Sequence, residues 1–152
     1  MKQRIYIDTS VVGGYHDTEF MEFTRPLFEK IRNGEVTIIY SSLLERELQN
    51  APENVKDVIK LIPKDFAEYI EISTESITLA RKYIEENVVG KTSFDDCLHI
   101  ALATLTRADI LVSWNFKHIV NVKRIRGYNS VNLKYGYHQI DIRSPRELMD
   151  YE

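Results

Sequence analysis

One stretch of the sequence joins a helix start to a long apolar run: Ser93-Phe94-Asp95-Asp96-Cys97-Leu98-His99-Ile100-Ala101-Leu102-Ala103. Ser93 is a typical N-cap, and the two aspartates after it would lie in the first turn, where the helix dipole favours negative charge. The run from Cys97 to Leu105 has too few polar positions for a surface helix, so it predicts a central, mostly buried one. The two acids are either ordinary capping residues or part of a site at the mouth of that helix, where unpaired charge is costly.

The composition is typical of one globular domain covering residues 1–152. Hydrophobic residues make up 43% of the chain and charged residues 28%. The net charge is -3, so a nucleic-acid partner would need a local basic patch. The single cysteine, Cys97, excludes an internal disulfide, and no apolar segment has the length of a signal peptide or a membrane span. We therefore expect a cytoplasmic protein that does not associate with membranes.

Short apolar runs alternate with helical patterns along the chain. The sequence predicts buried strands at 4–7, 36–40 and 110–112, and weaker ones at 69–72 and 139–142. Apolar spacing and capping residues predict helices over 19–32, 43–49, 51–62, 74–86, 93–107 and 120–133, and a short one that begins at Ser144. Gly13-Gly14 predicts an unusual backbone turn after the first strand. The alternation indicates an α/β fold with a mostly parallel central sheet.

Acidic and amide side chains occur where these elements begin or end. Asp8 ends the first strand, Glu47 lies on the helix after the second, Asp96 starts the central helix and Asn115 follows the third strand. Three acids with no matching cation close in sequence repel one another unless a metal ion joins them. Oxygen-only ligands suit Mg²⁺ or Mn²⁺. Such a cluster is typical of a site where metal-activated water attacks a phosphodiester.

The order and spacing of these residues resemble those of the PIN-domain ribonucleases, and most closely the VapC-like toxin half of VapBC-type (type II) toxin–antitoxin systems. The resemblance covers nearly the whole chain and rests on four segments: Tyr6-Ile7-Asp8-Thr9-Ser10-Val11, Ser41 through Leu48, Asp96-Cys97-Leu98-His99-Ile100-Ala101 and Leu111-Val112-Ser113-Trp114-Asn115-Phe116. It implies a three-layer α/β/α PIN-like domain, an endoribonuclease that uses Mg²⁺ or Mn²⁺, an RNA substrate, a homodimer, and a small antitoxin whose C-terminal segment occupies the cleft.

Position by position, the resemblance implies that Asp8, Glu47 and Asp96 bind the metal and act in catalysis. Asn115 falls where many members have a fourth aspartate, so it would complete the catalytic rim with less negative charge and weaker metal affinity. Small polar residues that line such sites correspond to Thr9 or Ser10, and to Ser113.

Two of these assignments involve neighbouring acids. Glu45 and Glu47 lie two residues apart, so on a helix they point in different directions. The offset from the preceding serine favours Glu47, which leaves Glu45 as a solvated residue. Asp96 stands three residues before His99 and matches the family's Asp-x-x-His-Ile-Ala pattern. Asp95 would then cap the helix or support the site from behind.

Other residues near these segments have two interpretations each. His99 would either orient a carboxylate of the site or be an ordinary core histidine. Trp114 would either stack an RNA base or pack in the core. The one concentrated basic stretch would either grip RNA phosphates or form a solvated helix face; it contains Lys117, His118, Lys123, Arg124 and Arg126. His118 matches no partner pattern and is assigned no role of its own.

Two other functions compete with a nuclease. The same fold with an acid cluster too depleted for catalysis would be a regulatory module that binds RNA or protein, and Asn115 supports that alternative. A phosphatase of the haloacid-dehalogenase type would also begin with an aspartate after a strand. That chemistry needs a second aspartate two residues on, and the chain has Ser10 there.

Overall fold

The centre of the fold is a five-stranded sheet. A computed structural model describes residues 2–150, apart from the side chain of residue 150. In chain order the strands are β1 (Arg4–Ile7), β2 (Thr37–Ser41), β3 (Ala67–Ile70), β4 (Ile110–Val112) and β5 (Asp141–Arg143). They lie side by side in the order β3-β2-β1-β4-β5, and all neighbouring pairs are parallel. The predicted parallel sheet is confirmed, and it is parallel throughout.

Helices cover both faces of this sheet. The α-helices of the described residues are α1 (Thr9–Gly14), α2 (Met21–Arg32), α3 (Ser42–Leu48), α4 (Glu53–Lys56), α5 (Thr74–Glu85), α6 (Phe94–Leu105), α7 (Val122–Lys134) and α8 (Pro145–Asp150). Side chains alternate along a strand. Tyr6 of β1 accordingly joins a core with α5, α6 and α7, whereas Ile5 and Ile7 join a second core with α1, α2 and α8. The predicted three-layer α/β/α architecture is confirmed.

Within residues 2–150, no helix combines the length and the apolar character that crossing a membrane requires.

The predicted central helix is α6. Every residue from Cys97 to Thr104 is buried, and the two aspartates lie in the first turn as expected. Ser93 occupies the N-cap position, but its side chain makes no capping hydrogen bond. It ends a short 3₁₀ turn, and its backbone N–H donates to the carbonyl of Gly90 at 3.0 Å. The position of the helix start was therefore predicted correctly, whereas side-chain capping by Ser93 is wrong.

The predicted helix over 51–62 is broken in the structure. α4 ends after one turn and passes into a 3₁₀ helix at Asp57–Leu61. No residue of α4 is buried, and the rest of the segment buries Val58 and Ile62. So little buried apolar surface cannot hold a longer helix against the core. Ile62 is already extended, which is the conformation preferred before a proline.

The predicted turn at Gly13-Gly14 is wrong. Both residues belong to α1, which the sequence did not predict. The glycines with positive φ among the described residues are Gly34 and Gly136. Position 14 requires glycine because there is no space for a side chain, and not because of its backbone conformation. Here α1 passes very close to the buried Trp114.

Replacing Gly14 with alanine is expected to destabilise the protein by about 1–3 kcal/mol. A Cβ atom there would lie 2.8 Å from Trp114 Nε1 and 2.9 Å from Thr24 Oγ1, two atoms that share a buried hydrogen bond of 2.8 Å. Thermal unfolding should show a melting temperature lower by about 3–8 °C. Gly13→Ala is the matched control. A Cβ there meets no atom within 4 Å, so it should leave stability unchanged or raise it by about 0.5–1 kcal/mol. Equal effects of the two changes would contradict the close approach.

The carboxyl ends of β1 and β4 form a topological switch point. From β1 the sheet continues through β2 and β3 on one side, and through β4 and β5 on the other. Open α/β sheets leave a crevice outside the strand ends at such a point. Asp8 is the first residue after β1, and Ser113 is the first residue after β4. The fold therefore brings the end of one strand close to the end of another that lies far away in sequence.

Candidate functional site

Asp8 lies at the bottom of the crevice. It is 3% exposed, and its carboxylate caps α1 by accepting a hydrogen bond from the Val11 N–H at 3.3 Å. Oδ1 also accepts from the Ser10 hydroxyl at 2.6 Å, and Oδ2 accepts from the Ser113 hydroxyl at 2.5 Å. Burial raises the pKa of Asp8, and the charge of His99 and these hydrogen bonds offset the rise only in part. The fold thus holds a carboxylate in a place where its negative charge is poorly compensated.

Two serines tie the loop after β1 to the loop after β4. The Ser10 hydroxyl, which donates to Asp8, accepts from the Trp114 N–H at 2.8 Å. The Ser113 hydroxyl, which also donates to Asp8, accepts from the Asn115 N–H at 2.9 Å. Each hydroxyl therefore donates to the Asp8 carboxylate and accepts from a backbone N–H of the loop after β4. The predicted role of Ser10 and Ser113 as residues that line the site agrees with this geometry.

Glu47 reaches the site from α3. Its Oε1 accepts from the Thr9 hydroxyl and from His99 Nε2, both at 2.7 Å. The other nitrogen of His99, Nδ1, lies 2.7 Å from the buried Tyr6 hydroxyl. Burial alone would raise the pKa of Glu47, but the hydrogen bond and charge of His99, together with Thr9, hold it below its usual range. The chain from Tyr6 through His99 to Glu47 therefore fixes the carboxylate from inside the core.

His99 is both a core histidine and a residue that orients a carboxylate. The ring is 3% exposed and fully hydrogen-bonded, as expected of a satisfied core histidine. One of its two partners is the carboxylate of Glu47, so it also orients a predicted site residue. The choice of Glu47 over Glu45 agrees with this contact. Glu45 is exposed and accepts a hydrogen bond from the Tyr69 hydroxyl at 2.5 Å.

Asp96 enters from the first turn of α6. Its Oδ1 accepts from Asn115 Nδ2 at 3.1 Å. Burial raises the pKa of Asp96. The charge of His118 opposes that rise, and the charges of Asp8 and Glu47 add to it. The three acids are thus close enough to repel one another. Asp8, Glu47 and Asp96, with the amide of Asn115, are called the acid cluster below.

Asn115 has a structural task besides its contact with Asp96. Its Oδ1 accepts from the His118 N–H at 2.9 Å, and its backbone carbonyl accepts from Ile119 and Val120 at 3.1 and 2.8 Å. An aspartate could make the first of these bonds but could not donate to Asp96. The asparagine at this position therefore joins a tight turn to the acid cluster without adding a fourth negative charge.

His118 is the residue near the site that the sequence interpretation missed. The ring lies near enough to Asp96 for a charge on it to lower the pKa of that carboxyl, and its Nδ1 is buried with no hydrogen-bond partner among residues 2–150. In sequence the only signal was its place three residues after Asn115, which is the spacing of a side-chain cap on a turn. That signal predicts the backbone contact and not the position of the ring.

Several predicted residues lie outside the acid cluster. Asp95 is paired with Arg46 at 3.1 Å on the surface, so it does not support Asp96. Trp114 is buried, stacks on Phe20 at a centroid distance of 4.4 Å and donates to Thr24, which makes it a core residue and not an exposed stacking platform.

The basic stretch divides into one structural and three exposed side chains. Arg124 donates to the backbone carbonyl of Val88. Lys117, Lys123 and Arg126 are exposed, and within residues 2–150 their side chains form no ion pair or hydrogen bond. The predicted contact set is therefore reduced to these three residues, whose charges remain available.

The oxygen donors of the acid cluster fit a hard divalent cation. Among the described residues, no three acidic, histidine or cysteine side chains converge closely enough to hold one ion by themselves. Glu47 Oε2 and Asp96 Oδ2 accept no hydrogen bond from the described residues. Burial raises the pKa of Asp96, and the charges of Asp8 and Glu47 add to the rise. Mg²⁺ binds proteins through one or two carboxylates and keeps several waters, so a sparse oxygen set is compatible with it.

The fold and the site together define a class: a parallel α/β domain with an acid cluster at the switch point between its first and fourth strands. Similar solved structures include the crystal structure of VapBC2 from Rickettsia felis bound to a DNA fragment from their promoter. That chain is 18% identical, with a TM-score of 0.59, over 93% of this chain and 98% of its own. The structure of FitAcB from Neisseria gonorrhoeae is 11% identical, with a TM-score of 0.57, over 93% of this chain and 97% of its own.

The likeness to these structures concerns the fold. No protein-family model matches the sequence, and no curated protein is significantly similar to it. At 18% and 11% identity a structural match establishes shared architecture alone. The PIN-like three-layer fold predicted from the sequence is thereby confirmed.

Proposed function

We propose that this chain is a Mg²⁺- or Mn²⁺-dependent endoribonuclease that hydrolyses phosphodiester bonds in RNA, and that it acts as the toxin of a toxin–antitoxin pair. The observation that carries the proposal is the acid cluster at the switch point. Carboxylates from three separate parts of the chain lie near enough there for the charges of Asp8 and Glu47 to act on Asp96; two have raised pKa values and one is held below its usual range by His99. Burial disfavours the charge of Asp8 and of Asp96, and the fold still places both carboxylates beside a third at one edge of the sheet, which supports a functional role.

Each residue of the cluster has a distinct task in this proposal. Asp8, Glu47 and Asp96 would hold the metal directly or through water. A bound Mg²⁺ or Mn²⁺ would supply an activated water and neutralise charge on the phosphate. His99 and Thr9 orient Glu47 through their hydrogen bonds to its carboxylate, and Ser10 and Ser113 orient Asp8 in the same way. Asn115 holds Asp96 and completes the rim without a fourth charge.

The proposed partners follow from the same function. RNA is the proposed substrate, and the likeness to the VapBC2 structure supports an antitoxin protein as a binding partner. We also propose that two copies of the chain form a homodimer and that the protein acts in the cytoplasm.

Cleavage of a panel of structured RNAs by purified, antitoxin-free protein tests the nuclease. We expect cleavage with Mg²⁺ or Mn²⁺ and none with EDTA. Asp96→Asn should lower the rate about a hundredfold or more, because it removes a proposed ligand and keeps the shape of the side chain. Asp95→Asn is the matched control, since that neighbouring acid is exposed and paired with Arg46. Equal losses in the two variants, or cleavage that persists in EDTA, would contradict the assignment.

One observation favours a second function. The carboxylates of the acid cluster are bound by hydroxyl, imidazole and amide groups, and no three of them converge on one point among the described residues. A domain that no longer binds metal would show this arrangement permanently, and would act as a regulatory module that binds RNA or protein. Calorimetry separates the two functions: a chain that binds neither Mg²⁺ nor Mn²⁺ and cleaves no RNA is the binding module.

Replacing Asn115 with aspartate is expected to tighten Mg²⁺ binding by about tenfold, because the charge count of the ligands sets the affinity of an oxygen site. The same change should lower the stability of the metal-free protein, since a carboxylate cannot donate to Asp96 and repels it. Calorimetry with and without Mg²⁺ measures both effects. Asn54→Asp, on the exposed surface of α4, is the matched control for a simple gain of charge. An unchanged Mg²⁺ affinity in Asn115→Asp would place this residue outside the metal site.

A further inference from the structure

Phe116 is an exposed aromatic residue beside the acid cluster. Its side chain is 49% exposed, although it directly follows Asn115, whose amide contacts Asp96. Its ring meets the ring of Trp114 edge to face at a centroid distance of 6.0 Å. Trp114 is itself buried, so Phe116 is supported from below by the core while much of the ring faces solvent. Single exposed apolar side chains are common on protein surfaces, so the case for a ligand rests on the residues near the ring.

The loop that carries Phe116 is held rigidly. The side-chain amide of Asn121 donates to the carbonyls of Phe116 and Lys117, both at 2.9 Å. The Asn121 side-chain oxygen accepts from the Arg124 N–H at 2.9 Å and so caps α7. One asparagine therefore joins the loop to the first turn of the following helix. The backbone that carries the ring is held in place, so less of its conformational freedom is lost on binding.

Basic residues follow Phe116 along the chain. Lys117 is the next residue, and Lys123 and Arg126 lie one turn apart on the exposed face of α7. These three residues are called the basic strip below. The sequence contains no aspartate or glutamate between Asp109 and Asp141, although the whole chain has a net charge of -3. Within the described residues no carboxylate neutralises the strip, so its charges are available to an anionic ligand.

We infer that Phe116 stacks on an unpaired base of a single-stranded RNA whose phosphates lie along the basic strip. This inference rests on the proposed nuclease function and adds a specific contact to it. An aromatic platform next to a cationic groove is how proteins bind single strands, because every base has a face that can stack. A base on Phe116 would leave its neighbouring phosphate close to the acid cluster. A duplex keeps its bases stacked inside, so it cannot use the ring.

Fluorescence anisotropy tests this contact in EDTA, where metal-dependent cleavage is absent. The probe is a short fluorescein-labelled single-stranded RNA of mixed sequence, compared with the same RNA made abasic and with a duplex of that sequence. Phe116→Leu keeps an apolar side chain and removes the aromatic face. It should weaken binding to the normal single strand about five- to fiftyfold. Phe116→Trp should restore the affinity, and the abasic and duplex RNAs should distinguish the variants little.

Two controls separate stacking from charge and from general surface changes. Lys123→Gln should weaken binding to normal and abasic RNA alike and should reduce the salt dependence of binding. Tyr135→Leu removes an exposed aromatic residue, 40% exposed, beyond the far end of α7 and should leave RNA affinity unchanged.

The outcomes distinguish this inference from the proposed function. Wild-type affinity in Phe116→Leu, or equal losses on normal and abasic RNA, would overturn the stacking role even if the protein cleaves RNA with metal. Loss of affinity confined to the base-containing strand would support it even if no cleavage occurs. If Phe116→Leu leaves RNA binding intact and instead dissociates a dimer in sedimentation, the ring belongs to an interface between two copies and the inference fails.

Discussion

Replacing Asp8 with asparagine is expected to raise the stability of the metal-free protein while it abolishes metal-dependent cleavage. Asp8 is buried, and its pKa is raised because burial disfavours its charge. An asparagine has the same shape, can still accept from one of the two serine hydroxyls, and can donate to the other. We expect a gain of about 1–2 kcal/mol, which is the usual size of a stability gain at a functional site. The melting temperature should rise by about 3–6 °C.

The gain from Asp8→Asn should depend on pH in a defined direction. A carboxyl whose pKa is raised in the folded state destabilises the fold when it is ionised, so the wild type loses stability as pH rises through that pKa. The advantage of asparagine should therefore be full above the folded-state pKa and should vanish below the unfolded-state value of about 4. Chemical denaturation at several pH values measures this difference.

Two controls accompany Asp8→Asn: a variant that removes a neighbouring hydroxyl, and the addition of Mg²⁺. Ser113→Ala leaves the ionised carboxylate with one hydrogen bond fewer and should destabilise the protein at neutral pH. Added Mg²⁺ should raise the melting temperature of the wild type and not that of Asp8→Asn, because only the wild type retains the ligand. A metal-free Asp8→Asn variant that melts below the wild type would show that Asp8 serves the fold first.

Replacing His99 with leucine is expected to destabilise the protein by about 2–4 kcal/mol and to weaken metal binding. The imidazole is 3% exposed and bridges the Tyr6 hydroxyl and the Glu47 carboxylate, each at 2.7 Å. Leucine fills a similar volume but breaks both hydrogen bonds, one of them to a charged group. The melting temperature should fall by about 5–12 °C. Glu47 would keep the hydroxyl of Thr9 as its one partner, so its position in the acid cluster should loosen.

Tyr6→Phe is the matched control for His99→Leu. It removes the hydroxyl that contacts His99 and the buried Ser41, while the contact between His99 and Glu47 remains. We expect a smaller loss, about 1 kcal/mol, with little change in metal affinity by calorimetry. If Tyr6→Phe weakened metal binding as much as His99→Leu, the histidine would act through the core and not through Glu47.

The pH dependence of His99→Leu follows from Glu47. The pKa of Glu47 is held below its usual range, mainly by His99 acting against burial. A carboxyl of this kind stabilises the fold above its unfolded-state pKa, and that contribution is lost as pH falls through the folded-state value. The stability difference between wild type and variant should therefore shrink in acid. A difference that grows on acidification would contradict the contact.

Patterns of local sequence predicted the fold well where burial was strong. The alternation of apolar strands and helices predicted the parallel sheet. The unbroken apolar run of α6 predicted a buried helix, because a run of this length is stable only in the core. The pattern was wrong over 51–62, where few side chains are buried, and α1 was missed because its two glycines signalled a turn. The secondary structure of a weakly buried segment depends on its contacts with distant parts of the chain, and a local sequence pattern holds no information about those contacts.

The sequence by itself predicted Asp8, Glu47, Asp96 and Asn115 as site residues, from their places at strand and helix ends and from the resemblance of four segments to a known family. It also determined that position 115 carries an amide and no charge. Only the tertiary structure decided which acids meet: it put Asp95 on the surface with Arg46 and set Glu47 against His99. It also buried Trp114 and left Phe116 exposed. The reason is physical, since contacts between residues far apart in the chain depend on how β1 and β4 are brought side by side, and no local spacing encodes that distance.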